Sequence, residues 1–243
     1  MGLLDYFSKD AGAARKRERA LKKLTNMYYQ QADRLASADS AFELAEAGDV
    51  EAVRVLLARF EHLCPSHTID REEKDYVVGL LVALGDKAVE PVTEYCRKTS
   101  KAIYWPLKVL EKLWPGEMLA DFVAEILEST DTDYWRDPEK KVGLMQSAGA
   151  HRTERVTQAL LPFVEDHHED VRFGAVDAIL GRGYDASEQL LPRLAGDEPS
   201  LRVRQRIATA FARNAWPLGD RIEDVVANLP EGFTVASGKV VQS

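Results

Sequence analysis

Hydrophobic and polar positions alternate with a helical period along almost the whole chain, and the clearest unit is Tyr76–Val92, YVVGLLVALGDKAVEPV. An apolar helix runs to Gly85, a tight polar turn follows, and a second helix starts around Ala88-Val89-Glu90-Pro91. Variants of this hairpin recur. The spacing predicts one helix over residues 3–35, then helices over 41–46, 50–63, 72–84, 88–98, 101–113, 117–128, 139–148, 153–164, 171–180, 187–194, 201–215 and 221–229. Gly48-Asp49, Pro65 and Trp114-Pro115-Gly116 mark the breaks between them. After Pro230 the helical period disappears, and residues 231–243 read as a loose or briefly extended tail. No segment shows the strict alternation of a sheet, so the expected class is all-α.

The hairpins share a register. Alignment on a valine in the second helix of each pair takes Val77, Val109, Val142, Val171 and Val203, which are 32, 33, 29 and 32 residues apart. Leu160-Leu161-Pro162 is matched by Leu190-Leu191-Pro192, Val171-Arg172 by Val203-Arg204, and Ala178 by Ala210. An acidic residue stands five before the valine at Asp137, Asp166 and Glu198. There it caps the next helix or favours its positive end. The arginine six residues after it is placed to reach back to it. Ala and Gly at crossing positions admit close helix approach.

Asp166…Val171-Arg172…Ala175…Ala178 and Leu84-Gly85-Asp86-Lys87-Ala88-Val89-Glu90-Pro91-Val92 resemble HEAT repeats, particularly the short bacterial kind also seen in phycobilin-lyase-like proteins. The order of segments also resembles bacterial HEAT-repeat proteins that begin with a short basic helix. The resemblance spans residues 39–230 and departs from the pattern at Val109, which lacks an acidic cap. It departs again at Val142, where Gly143 stands in place of the arginine. It implies an α-solenoid of about five or six hairpins, with residues 1–38 as a basic lead-in, and second helices that line a concave face.

Charge divides the chain unevenly. The formal net charge is −8. Residues 3–35 carry eight basic and four acidic side chains, leaving −12 on the rest. That acidity opposes general nucleic-acid binding, which rests on phosphate neutralisation. Leu3, Leu4 and Phe7 ahead of the basic run form a small tip that could touch anionic lipid, a runner-up reading as a peripheral membrane adaptor. No run of about 18 apolar residues spans a membrane. Two cysteines, Cys64 and Cys96, make no disulfide framework, and a cytoplasmic setting is expected.

Candidate chemistry is sparse. Cys64-Pro65-Ser66-His67 with His62 lacks a second cluster for a four-ligand zinc site. His167-His168-Glu169-Asp170 reads as a polar turn between helices. Asp131–Asp137 lacks the glycine and terminal glutamate of a calcium loop, and its Tyr134 and Trp135 read as aromatics folded over the next repeat or, alternatively, as partner anchors. Gly181-Arg182-Gly183 reads as a helix end. No cofactor and no catalysis are expected, and the chain reads as a monomer.

One surface constellation stands out. Arg202, Arg206, Thr209 and Arg213 share a helix face opposite the stripe of Val203, Ile207, Ala210 and Phe211. One repeat earlier stand Asp170, Gly174, Asp177 and Gly181. An inner groove that is acidic in one repeat and basic in the next suits a peptide or protein partner. The expected function is therefore a non-enzymatic scaffold or adaptor. A phycobilin-lyase-like or DNA-binding HEAT-like role is the alternative.

Overall fold

The computed structural model describes residues 3–101, 103–132 and 138–243, with side chains described from residue 11 onward. The side chains of the Leu3–Leu4–Phe7 tip, and Tyr134, Trp135 and Asp137, therefore lie outside the described residues. The chain is mostly helical, and two compact units divide it, Met1–Leu119 and Ala120–Ser243. Among the described residues no helix is long and apolar enough to cross a membrane.

The first unit holds α1 (Leu3–Leu24), α2 (Gln31–Glu46), α3 (Val50–Ala58), α4 (His67–Ala83), α5 (Asp86–Lys98) and α6 (Tyr104–Leu113), and α7 (Gly116–Glu128) begins in it. Alternate helices lie side by side: α2 against α4 and α4 against α6 on one layer, α1 against α3 and α3 against α5 on the other. Val77, Leu81, Val92 and Leu110 are fully buried between them. Gly85 turns the chain at φ +58° between α4 and α5, a conformation that costs glycine little. α5 starts at Asp86, earlier than its sequence pattern implies, so Pro91 falls in the second turn rather than the first.

The expected helix over 3–35 is two helices. The Asn26 side chain accepts a hydrogen bond from the Tyr28 N–H at 2.9 Å, a local turn that competes with helical pairing. Arg34 then reaches back from α2 to the carbonyls of Met27 and Tyr29 and fixes the bend. The basic residues of α1 partly serve packing, since Arg17 pairs with Asp49 and Lys23 with Asp33.

A buried ionic cluster holds this unit. Arg34 grips both oxygens of Glu73, with its Nη2 at 2.7 Å from Oε1, and Arg59 bridges Glu73 at 3.0 Å and Asp70 at 2.8 Å. Lys74 closes the cluster on the other Asp70 oxygen at 2.8 Å. Arg59 is 0% and Glu73 1% exposed, so these pairs are desolvated and stand or fall together. Burial alone would raise the Asp70 carboxyl, but hydrogen bonds from Lys74, Arg59 and the Cys64 N–H outweigh it and hold it below the ordinary carboxylate range.

The second unit continues α7 and adds α8 (Glu139–Ala148), α9 (Glu154–Leu160), α10 (Glu169–Leu180), α11 (Ser187–Pro192), α12 (Leu201–Asn214) and α13 (Ile222–Asn228). α10 packs between α8 and α12. Gly174 permits this, because a Cβ there would stand 2.8 Å from the Cβ of Met145 on α8. Of the two expected forms, the C-terminal tail takes the extended one. Phe233–Ala236 (β1) and Lys239–Gln242 (β2) form an antiparallel hairpin through Ser237 and Gly238, both at positive φ, and β2 packs on α12 with Val240 buried.

Buried charges recur here with the period of the sequence. Lys141 on α8 meets Asp166 in the turn before α10 at 2.6 Å, and Arg172 on α10 meets Glu198 in the turn before α12 at 2.8 Å. Each carboxylate also accepts the backbone N–H two residues on, His168 for Asp166 and Ser200 for Glu198. Arg172 does reach back to Asp166, but to its main-chain oxygen at 2.9 Å, and its ionic partner lies one repeat ahead. The position of Lys141 corrects the register. Lys141 stands in the place of Arg172, 31 residues earlier, so Val142 matches Phe173 and the core valine position falls on Lys140. Val142 is accordingly half-buried while Val171 and Val203 are fully buried.

Candidate binding face

The face singled out by the sequence lies on α10 and α12. α12 starts where the Ser200 side chain accepts the Val203 N–H, and its apolar stripe of Val203, Ile207 and Phe211 is fully buried. The opposite stripe projects outward. Arg202 places Nη1 at 2.9 Å from Asp170 and 3.8 Å from Glu169. Its guanidinium also lies 3.9 Å from the centre of the Phe173 ring, a cation–π contact. Arg206 donates from Nε to Asp177 at 2.8 Å.

Four of the five predicted residues thus pair with one another across adjacent helices. Asp170, Asp177, Arg202 and Arg206 form an exposed zipper rather than two uncommitted stripes. Such surface pairs contribute little stability each. Their effect is to set the charge pattern that a partner meets. Arg213, the fifth, is exposed and has no hydrogen-bond or ion-pair partner among the described residues.

Two hollows flank the zipper. A groove of about 420 Å³ runs between α8 and α10, floored by Val142, Met145, Phe173 and Gly174 and edged by Gln146, Asp177 and Arg202. A polar cavity of about 450 Å³ lies at the ends of α10 and α12, where Arg152, Arg182, Arg206 and Arg213 converge with Asp185, Tyr184 and Trp216. Burial first, then the positive charge of Arg152, hold the Arg182 guanidinium below its ordinary range. Arg182 donates to the carbonyls of Ala148, His151 and Ala178 and so caps the ends of α8 and α10.

Sequence reasoning passed over Arg152 and Arg182. The available signal was Gly181-Arg182-Gly183: Gly183 at φ +71° is a helix-ending glycine, and an arginine beside such an end serves open carbonyls. The other candidates resolve into packing. His168 accepts the Asp170 N–H and caps α10, and the His167 carbonyl accepts from Arg172. The Cys64 N–H donates to Asp70, its Sγ lies 3.2 Å from Arg59, and both cysteines are free thiols. Among the described residues no group of three or more His, Cys, Asp or Glu side chains could hold a metal ion. Comparison of the chain with protein-family models, curated proteins and solved structures finds no match.

Proposed function

We propose that this chain is a non-enzymatic scaffold, a stack of HEAT-like hairpins that binds another protein on the solvent-exposed side of α8, α10 and α12, the concave face of such a stack. The observation that supports it most is the division of labour on these helices. Buried rungs, Lys141–Asp166 and Arg172–Glu198, lock successive repeats from within, while the exposed zipper of Asp170–Arg202 and Asp177–Arg206 patterns the surface. A stack held from inside leaves its outer side chains to a partner, and stacked repeats present extended surfaces of this kind. The apolar floor beside alternating charges supplies both contact area and register.

The test reverses the zipper without breaking it. In the variant D170R/R202D/D177R/R206D each pair keeps an attractive partner while the surface pattern inverts, and an unchanged thermal unfolding curve verifies its fold. Partners recovered from the native cell are identified by mass spectrometry, then purified and titrated against both proteins. The scaffold reading expects at least one partner that binds the wild type and loses about tenfold or more in affinity for the inverted protein. Equal binding of every purified partner to both proteins would remove this face as the site.

A further inference from the structure

Charge at the α10–α12 cavity is not balanced as it is elsewhere in the second unit. Arg155 pairs with Glu128 and Asp121, Arg172 and Arg193 with Glu198, Arg202 with Asp170, Arg206 with Asp177 and Arg221 with Asp224. The described arginines of this unit without a carboxylate partner are Arg152, Arg182, Arg204 and Arg213, and three of these four line one cavity. In a chain of net charge −8, carboxylates are plentiful, so their scarcity in this lining, where Asp185 faces four arginines, is local.

Helix ends absorb only part of the excess, with Arg182 on open carbonyls and Arg213 in the last turn of α12. α8, α10 and α12 all end near the cavity, and their carbonyl ends carry partial negative charge. Arg182 already answers the carbonyls of Ala148, His151 and Ala178. Arg152 and Arg213 have no carboxylate or hydrogen-bond partner among the described residues. Arg206 gives only its Nε to Asp177, which keeps its terminal amino groups available at the cavity wall. The one carboxylate in the lining, Asp185, accepts the Ser187 N–H at 3.0 Å.

We propose that this cavity binds the phosphate group of a small phosphorylated molecule, with the oxyanion among Arg152, Arg206 and Arg213 and the organic body against Tyr184 and Trp216. Guanidinium forks match phosphate oxygens two at a time, and several of them suit a dianion better than a single carboxylate. A volume of about 450 Å³ exceeds what bare phosphate fills and falls within the range of small-molecule sites. The half-buried Tyr184 and Trp216 offer apolar wall area for that remainder. The inference stands without the scaffold reading, because the cavity belongs to the second unit alone and its test uses no partner protein.

The experiment is calorimetric titration of the full chain at low ionic strength with inorganic phosphate, phenyl phosphate, phenol, benzoate and a phosphoserine peptide. The expected result is one site for phosphate and phenyl phosphate, with the ester tighter and affinity falling as salt is added. Phenol should not bind. The variant R152A/R213A changes two exposed side chains, and an unchanged thermal unfolding curve verifies its fold. It should bind phenyl phosphate about tenfold or more weakly than wild type. No binding of either phosphate probe, or binding that the double variant leaves intact, overturns the site. Benzoate binding as tightly as phenyl phosphate overturns the phosphate assignment, and a tighter phosphoserine peptide overturns the small-molecule source.

Discussion

The two units solve one problem, charge buried among packed helices, in different ways. In the first, Arg34, Arg59 and Lys74 meet Glu73 and Asp70 in a single connected cluster, with Arg59 touching both carboxylates. In the second, Lys141–Asp166 and Arg172–Glu198 are separate rungs set about 32 residues apart along the chain, and Arg172 also donates to the Asp166 carbonyl. A cluster must be assembled whole, because losing one member leaves the others desolvated and unmatched. A rung can be repeated, since each carboxylate carries its own helix-start hydrogen bond and its own cations, Lys141 for Asp166 and Arg172 with Arg193 for Glu198. The second unit is accordingly where the sequence period is most regular, and where the outer face is free to vary.

The largest expected effect comes from breaking the cluster. Glu73→Gln keeps the shape but leaves Arg34 without a carboxylate and three buried cations with only Asp70. It should destabilise the protein by about 3–5 kcal/mol in denaturant unfolding. Glu198→Gln leaves Arg172 and Arg193 without a carboxylate, but Arg172 keeps the carbonyls of Asp166 and His167, so its cost should lie near the lower end of that range.

Acid sharpens the same comparison, because each unit holds one buried carboxyl below its ordinary range. Lys74, Arg59 and the Cys64 N–H hold Asp70 down against its burial. Burial would raise Glu198, but hydrogen bonds from Arg172, Arg193 and the Ser200 N–H outweigh it. A depressed folded-state value means stability that is present above the unfolded values, about 4 for Asp and Glu, and lost as pH falls through the folded ones. Urea midpoints should therefore fall steeply below about pH 4 in the wild type and less steeply in Glu198→Gln.

Close approach is the next test. Gly174→Ala gains helix propensity of about 1 kcal/mol but forces a contact with the Met145 Cβ, for which overpacking costs about 1–3 kcal/mol. A net loss of about 1 kcal/mol is expected by thermal unfolding. The smallest effect has the opposite sign. Ala215 ends α12 at φ +52°, where glycine is unstrained, so Ala215→Gly should stabilise by about 0.5 kcal/mol.

The contrast also explains what the sequence disclosed. The Gly85 hairpin was readable because turn and periodicity are local. The break inside 3–35 was not, since the Asn26 turn competes with a helix over which composition is otherwise favourable. The register near Val142 misled because Lys141 fills a buried place that reads as polar until Asp166 is seen opposite. The terminal hairpin had a signal, Ser237-Gly238 between two short β-branched runs, which its brevity obscured. At the candidate face the arginine and aspartate stripes were legible from spacing, but their mutual pairing was not. Arg152 and Arg182 reach the cavity from separate helix ends, so no single stretch announces it.

Native-state hydrogen exchange on Glu73→Gln and Glu198→Gln tests the distinction between cluster and rung most directly. The account predicts that Glu73→Gln lowers protection together across α2, the end of α3 and α4. It predicts that Glu198→Gln lowers it at the α10–α12 junction while the amides that Lys141–Asp166 holds between α8 and α10 stay protected. Loss confined to α4 in the first variant, or spread evenly through α8 in the second, would contradict it.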